Sequence, residues 1–159
     1  MEWRSMRRFK QQITEEECVE VLREAWRGVL SIHGENGYPY GIPIDYFYDE
    51  SDGKIYFHGA KEGNKVDLLS ENNKACFTVM DEGFHREGDW ALTIKSVIVF
   101  GRVEAMADPA LALEKLTKLG KKYYPTEEEA LKEVARDGER TLMLVMTIDH
   151  MTGKVVHEK

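Results

Sequence analysis

The spacing of apolar and polar positions divides the chain into short segments of two periods. Thr14 and Glu17 stand at capping-box spacing, and Val19, Leu22, Ala25 and Trp26 follow at helical intervals. A first helix is therefore expected to start at Thr14 and to stop at Gly28. Residues 29–33 predict a short strand, closed by the turn residues Glu35-Asn36-Gly37. Residues 40–48 predict a second strand. Pro43 inside it points to an edge, a bulge or an open stretch of the ladder. Residues 49–53 turn the chain, and 54–58 form a third strand rich in aromatic side chains. A loop over 59–63 leads to a short helix at 64–72, with Val66, Leu68 and Leu69 available to the core. Residues 75–80 are a fourth strand, and the polar stretch 81–89 is a loop.

Residues 90–105 are β-rich, as one bent strand or two. Asp108-Pro109 is an N-cap followed by Pro at the first helical position, which opens a helix to about Leu119. Thr126 and Glu129 form a second capping box, for a helix ending near Gly138. Residues 141–149 are the last main strand, and Gly153 is expected to turn the chain into a short tail. About six strands result, with no regular βαβ alternation. The expected class is mainly β (α+β): antiparallel strands with peripheral helices, as a closed or partly closed barrel.

Composition narrows the function classes. A length of 159 residues favours one domain over 1–159. A domain of about 150 residues buries roughly 70% of its unfolded surface. The 22 Lys and Arg against 29 Asp and Glu give a net charge of −7, which argues against a nucleic-acid partner. Small anions remain open, because they need only a local cluster of donors. Cys18 and Cys76 sit in apolar stretches without a CxxC pair. The basic start (Arg4, Arg7, Arg8, Lys10) is not followed by an apolar signal region. Reduced thiols and a cytoplasmic location are expected. The apolar runs fall far short of the roughly 20 residues of a membrane span, so no membrane partner is expected.

Three segments could carry chemistry. In Tyr56-Phe57-His58-Gly59-Ala60-Lys61-Glu62-Gly63-Asn64-Lys65-Val66, a strand gives way to small residues and then to a helix start. Free backbone N–H groups, the positive end of the helix and the Lys65 ammonium would suit a phosphate there. The segment is not a Walker loop, because Asn64 separates Gly63 from Lys65 and Val66 follows. An ordinary strand-to-helix loop with a solvated lysine fits the same residues. The second segment runs from Tyr38 through Pro43 to Tyr46. Its opened ladder could offer backbone groups to the edge of a flat heteroaromatic ring, or it could be an edge strand only. The third is Lys95-Ser96-Val97-Ile98-Val99-Phe100-Gly101-Arg102, where Ser96 could donate to a ligand or satisfy neighbouring backbone. The five histidines show no paired metal spacing, so no metal is expected. The Arg7-Arg8 pair reads as an exposed arm or as a reach toward an anion.

In this order, the three segments resemble the pyridoxamine 5′-phosphate oxidase-like flavoproteins, and within them the nitroimidazole-resistance (nitroimidazole reductase-like) branch. The resemblance runs from Met6-Arg7-Arg8 to Thr152-Gly153-Lys154. It implies a six-stranded antiparallel split β-barrel and a homodimer holding FMN at the subunit interface. It implies that Lys65 contacts the FMN phosphate, with backbone help around Gly63 and Asn64. His58, Gly59 and Ala60 would line the flavin. Ile42, Pro43, Ile44 and Asp45 would meet the ring through main chain, with Ser96 close by. His58 is implied near the substrate as the catalytic candidate. The resemblance departs at Asn64, where related chains often carry a basic residue. The dense phosphate-binding set of a true pyridoxamine phosphate oxidase is also missing.

Two functions follow as expectations. One is an FMN-dependent oxidoreductase that reduces a small aromatic or nitro-type acceptor, with a nicotinamide as one candidate electron donor. The other is a non-catalytic module holding a flavin or haem as a store or redox sensor. Haem is the less favoured ligand, since no histidine reads as an axial ligand.

Overall fold

The computed structural model describes residues 1–158. Helix α1 (Glu15–Glu24) starts as its capping box dictates. The Glu17 N–H donates to Thr14 Oγ1 at 3.2 Å, and the Thr14 N–H donates to Glu17 Oε2 at 3.0 Å. A cap of this type is worth about 1 kcal/mol. The helix ends before Gly28, which belongs instead to strand β1 (Arg27–His33). A Cβ at Gly28 would stand 2.5 Å from the Phe77 ring, so glycine is present for close packing and does not stop the helix.

The predicted strand over 40–48 is two strands, β2 (Pro39–Asp45) and β3 (Phe47–Asp49). Then come β4 (Lys54–Ala60), α2 (Asn64–Glu71), β5 (Lys74–Met80) and the two-residue β6 (Phe84–His85) inside the predicted polar loop. Strand β7 (Leu92–Ala105) is one strand with a register shift between Phe100 and Gly101. Helix α3 (Pro109–Tyr123) is capped by Asp108 and runs past Leu119 to the Tyr124-Pro125 stop. Helix α4 (Glu127–Asp137) starts at the Thr126 cap. Strand β8 (Thr141–His157) continues straight through Gly153, where a turn was expected. A Cβ at Gly153 would stand 2.5 Å from Cys18 Sγ and 2.7 Å from Ile13, so this glycine seats the N-terminal segment against β8.

All pairings are antiparallel, in the order β2-β1-β5-β7-β8-β4-β3, with β6 on β7. The sheet has eight strands where six were expected. The two ends of the path, β2 and β3, are separated only by Tyr46, so the sheet curls into a split barrel with its seam at that residue. Neither neighbour in the ladder satisfies the Tyr46 backbone. Its N–H donates to the Tyr123 hydroxyl at 2.9 Å, and its carbonyl accepts from Lys122 Nζ at 3.1 Å. Its own hydroxyl donates to the Leu22 carbonyl at 2.6 Å.

The barrel interior holds Leu30, Phe57, Phe77, Val99 and Met146. A second apolar layer, Tyr56, Met143, Leu116 and Leu119, packs α3 onto the outer side of β4 and β8. Lys115, 5% exposed, crosses this layer to Asp49 at 2.8 Å and Asp52 at 3.2 Å. Burial alone would raise the Asp49 carboxyl, but bonds from Lys115, Ser51 and Lys118 outweigh it and hold it well below the usual carboxylate range. Both cysteines are free, and burial pushes the Cys18 thiol up to about 11, so it is an inert core group.

Candidate functional site at the end of β4

Strand β4 carries Gly59 and Ala60 within its ladder, paired to Leu142 and Thr141 of β8, so the loop is shorter than the expected 59–63. Gly63 caps α2 with φ of +136°, a conformation that L side chains rarely adopt. It has no side chain to offer the helix. The N–H groups of Val66 and Asp67 reach its carbonyl, while those of Asn64 and Lys65 are left without a backbone acceptor. Lys65 folds back from the first turn toward the strand, and its Nζ lies 2.9 Å from where a Cβ of Gly59 would be. Among the described residues, the half-buried Lys65 ammonium has no hydrogen-bond or ion-pair partner. Burial lowers its pKa from the usual lysine value. An ammonium that has lost water and gained no counter-charge, beside two free N–H groups, is a place where an anion is stabilised.

His58 precedes this loop. Along the strand it falls on the side of Tyr56, toward α3, while Phe57 enters the barrel. It stands at the rim of a pocket of about 280 Å³ lined by Leu116, Leu119, Gly120, Tyr124 and Thr141. Loss of hydration pushes the imidazole pKa down, the Lys65 charge adds to that, and the Asp45 carboxylate opposes it. The balance keeps the ring neutral at neutral pH.

The strand β2 residues sit on the other side of the seam. Ile42 packs against the barrel core, Ile44 is buried and Pro43 is exposed. Pro43 lies opposite Val29 on a strand at one end of the sheet path, where its missing N–H costs least. Asp45 is ion-paired with Arg27 at 2.8 Å.

His58, Gly59, Lys65 and Asp45 therefore gather near the seam. Ser96 is not brought to them. It pairs with Met80 and Lys154 and lines a different depression with Arg7 and Arg8. Sequence reasoning missed Lys122 and Tyr123. Their signal was the Lys121-Lys122-Tyr123-Tyr124 run at the end of α3. Lys122 donates to the carbonyls of Ala25 at 2.7 Å and Tyr46 at 3.1 Å, lies 3.9 Å from the Tyr46 ring centre, and is pushed down to about 8 by burial. Among the described residues, no group of three or more His, Cys, Asp or Glu could hold a metal ion. No helix there is long and apolar enough to cross a membrane.

With this geometry in place, comparison with known proteins is informative. The sequence model of the family described as Pyridoxamine 5′-phosphate oxidase matches residues 14–155. No curated protein sequence matches the chain. Among solved structures, the chain is similar to a candidate 5-nitroimidazole antibiotic resistance protein from Bacteroides thetaiotaomicron, with 21% identity, 92% of this chain and 87% of that chain covered, and a TM-score of 0.74. It is similar to a flavocytochrome from Azotobacter vinelandii, with 25% identity, coverage of 96% and 72%, and a TM-score of 0.74. A FAD-binding protein from Mesorhizobium loti aligns at 21% identity over 92% and 97%, with a TM-score of 0.64.

Proposed function

Since the chain belongs to the Pyridoxamine 5′-phosphate oxidase family, we propose that it is a flavoprotein that binds FMN and reduces a small aromatic or nitro-type acceptor at a site completed by a homodimer. The observation that carries this reading is the half-buried Lys65 ammonium without a partner, set beside the free N–H groups that open α2. Those donors suit a terminal phosphate, and the missing side chain at Gly59 leaves room for the ammonium to turn toward it.

FMN, when bound, supplies one- and two-electron chemistry. The chain supplies binding and surroundings. Lys65, with the Asn64 and Lys65 N–H groups, holds the phosphate. Leu116 and Leu119 exclude water from the pocket beside His58. The neutral His58 imidazole offers an acceptor nitrogen to a polar group of the substrate. Glycine at 59 keeps the end of β4 open.

The dimer reading is supported by the outer face of the sheet. Pro43, Val29, Thr78, Ile98 and Thr152 form one cross-strand row, and Val29 and Ile98 are each 40% exposed, with Met80 at 62%. An apolar row of this kind is a candidate for covering by a second copy.

The test is a fluorescence titration of FMN against the wild type and Lys65→Ala. The variant is expected to bind roughly tenfold to a hundredfold more weakly, the loss of one charge-assisted contact. Equal affinity in the two proteins would refute the assignment of Lys65. A Soret band in the purified protein would instead favour the haem-binding module.

A further inference from the structure

The pocket beside His58 has a second wall, which helix α4 supplies through Glu133, Val134 and Asp137. Helices α3 and α4 close on one another at Gly120, where a Cβ would stand 3.6 Å from Ala130 and 3.8 Å from Val134. The end of α4 is tied to β8, because the Thr141 hydroxyl donates to the Asp137 carbonyl at 2.9 Å. Both carboxylates are therefore carried on a helix that is held at its middle and at its end. At about 280 Å³ the pocket sits at the low end of the small-molecule range and has room for one ring.

The two carboxylates share one cation. Arg136 donates to Glu133 Oε2 at 2.6 Å and to Asp137 Oδ2 at 2.9 Å, and it does not line the pocket itself. Two anions against one guanidinium leave one negative charge on this wall. The last turn of α4 ends at the same place and adds the negative end of a helix dipole. Tyr124 adds no charge, since lost hydration and the Glu133 carboxylate push its hydroxyl up from the ordinary tyrosine value. From β4, the His58 imidazole is neutral, and the charges that reach it are those of Asp45 and Lys65, not those of α4. Among the described residues, no lysine or arginine lines the pocket, neither Lys61 nor Arg140 included.

We propose that this wall sets the charge of the acceptor: the pocket takes a single-ring aromatic that bears a cationic or N–H-donating substituent, and it refuses ring carboxylates. The inference rests on the reading of the His58 pocket as the acceptor site and names the class of molecule that site selects. A cation or an N–H group at this wall meets Glu133, Asp137 and the last carbonyls of α4. An anion there gives up hydration and meets like charge. Glu133 and Asp137 are thus specificity-determining residues, and Arg136 moderates them from outside the pocket.

Three probes of one shape test this: 4-nitrobenzylamine, 4-nitrobenzyl alcohol and 4-nitrobenzoate, which are cationic, neutral and anionic at neutral pH. Each is titrated calorimetrically into the full chain as purified and again after addition of FMN. The amine is expected to bind roughly tenfold more tightly than the benzoate, with the alcohol between them. The gap is expected to narrow as salt is raised. Glu133→Gln/Asp137→Asn is expected to erase or reverse the order, because Arg136 is then unmatched. Arg136→Gln is expected to widen the gap, a change that a merely structural role for these residues would not produce. Lys65→Ala is expected to weaken FMN retention and to leave the order of the probes unchanged, so failure of the flavin reading and failure here are told apart. The inference is overturned by equal affinity for the three probes, by tighter binding of the benzoate, by the absence of saturable binding of the amine, or by an undiminished gap in the double variant.

Discussion

A β-carbon on Gly59 would stand 2.9 Å from the Lys65 ammonium nitrogen. Strand β4 and the first turn of α2 thus meet at a glycine and a lysine six residues apart in sequence. The contact is with the far end of a flexible side chain, so it constrains where the charge lies more than whether the protein folds. Gly59→Ala is expected to displace the ammonium and weaken FMN binding roughly tenfold, while stability changes by less than about 1 kcal/mol. Parallel FMN titrations and thermal melts check this.

His58 is held neutral by lost hydration and by the Lys65 charge. Its folded-state pKa is lowered, so protonation sets in only below the ordinary histidine range of about 6.5. Reduction of a nitroaromatic acceptor is expected to be flat through neutral pH and to fall in acid. His58→Asn is expected to lower kcat/KM roughly tenfold while FMN affinity stays the same. A pH–rate profile of both proteins reads both effects.

The barrel seam depends on one hydroxyl. Tyr123→Phe removes the only acceptor of the buried Tyr46 N–H among the described residues. The expected loss is about 1–3 kcal/mol, measured by urea denaturation.

Asp49 is held as an anion by Lys115, Ser51 and Lys118. Because its folded-state pKa is depressed, its stabilising contribution is present above the unfolded value of about 4 and is lost as pH falls below it. Lys115→Met leaves that carboxylate short of its main partner and is expected to cost about 3–5 kcal/mol at neutral pH. The double variant Asp49→Asn/Lys115→Met is expected to recover much of this and to flatten the acid limb. Denaturant midpoints between pH 3 and 7 check it.

The outer face of the sheet gives a fifth expectation, about assembly. Ile98→Glu places a charge in the middle of the exposed row. It is expected to convert a dimer to a monomer in sedimentation velocity, with a stability change within about 0.5 kcal/mol. A wild type that sediments as a monomer contradicts the dimer reading.

Local signals were legible where the physics is local. Thr14 with Glu17, Asp108 with Pro109, and Thr126 each open a helix as their side chains dictate. The passage from Gly59, near the end of β4, to Lys65, in the first turn of α2, could also be read in outline, because its residues are contiguous in sequence, though the loop between the two elements is shorter than expected. Glycines misled where they serve close approach. Gly28 lies under Phe77 and Gly153 against Ile13, contacts made across long sequence separation. The break at Tyr46 has no compositional mark, since what changes there is the partner strand. The pocket beside His58 needs α3 and α4, more than fifty residues downstream, and no period in the sequence points to it. Ser96, joined with Lys65 in the sequence reading, lines a depression to which Lys65 does not contribute.

The central claim is that the Lys65 loop holds a flavin. The most direct measurement is the absorption spectrum of the protein as purified, and again after adding FMN and desalting. The account predicts retained flavin bands at about one per chain, from one phosphate loop per chain, and their loss in Lys65→Ala. A flat spectrum after reconstitution would contradict it.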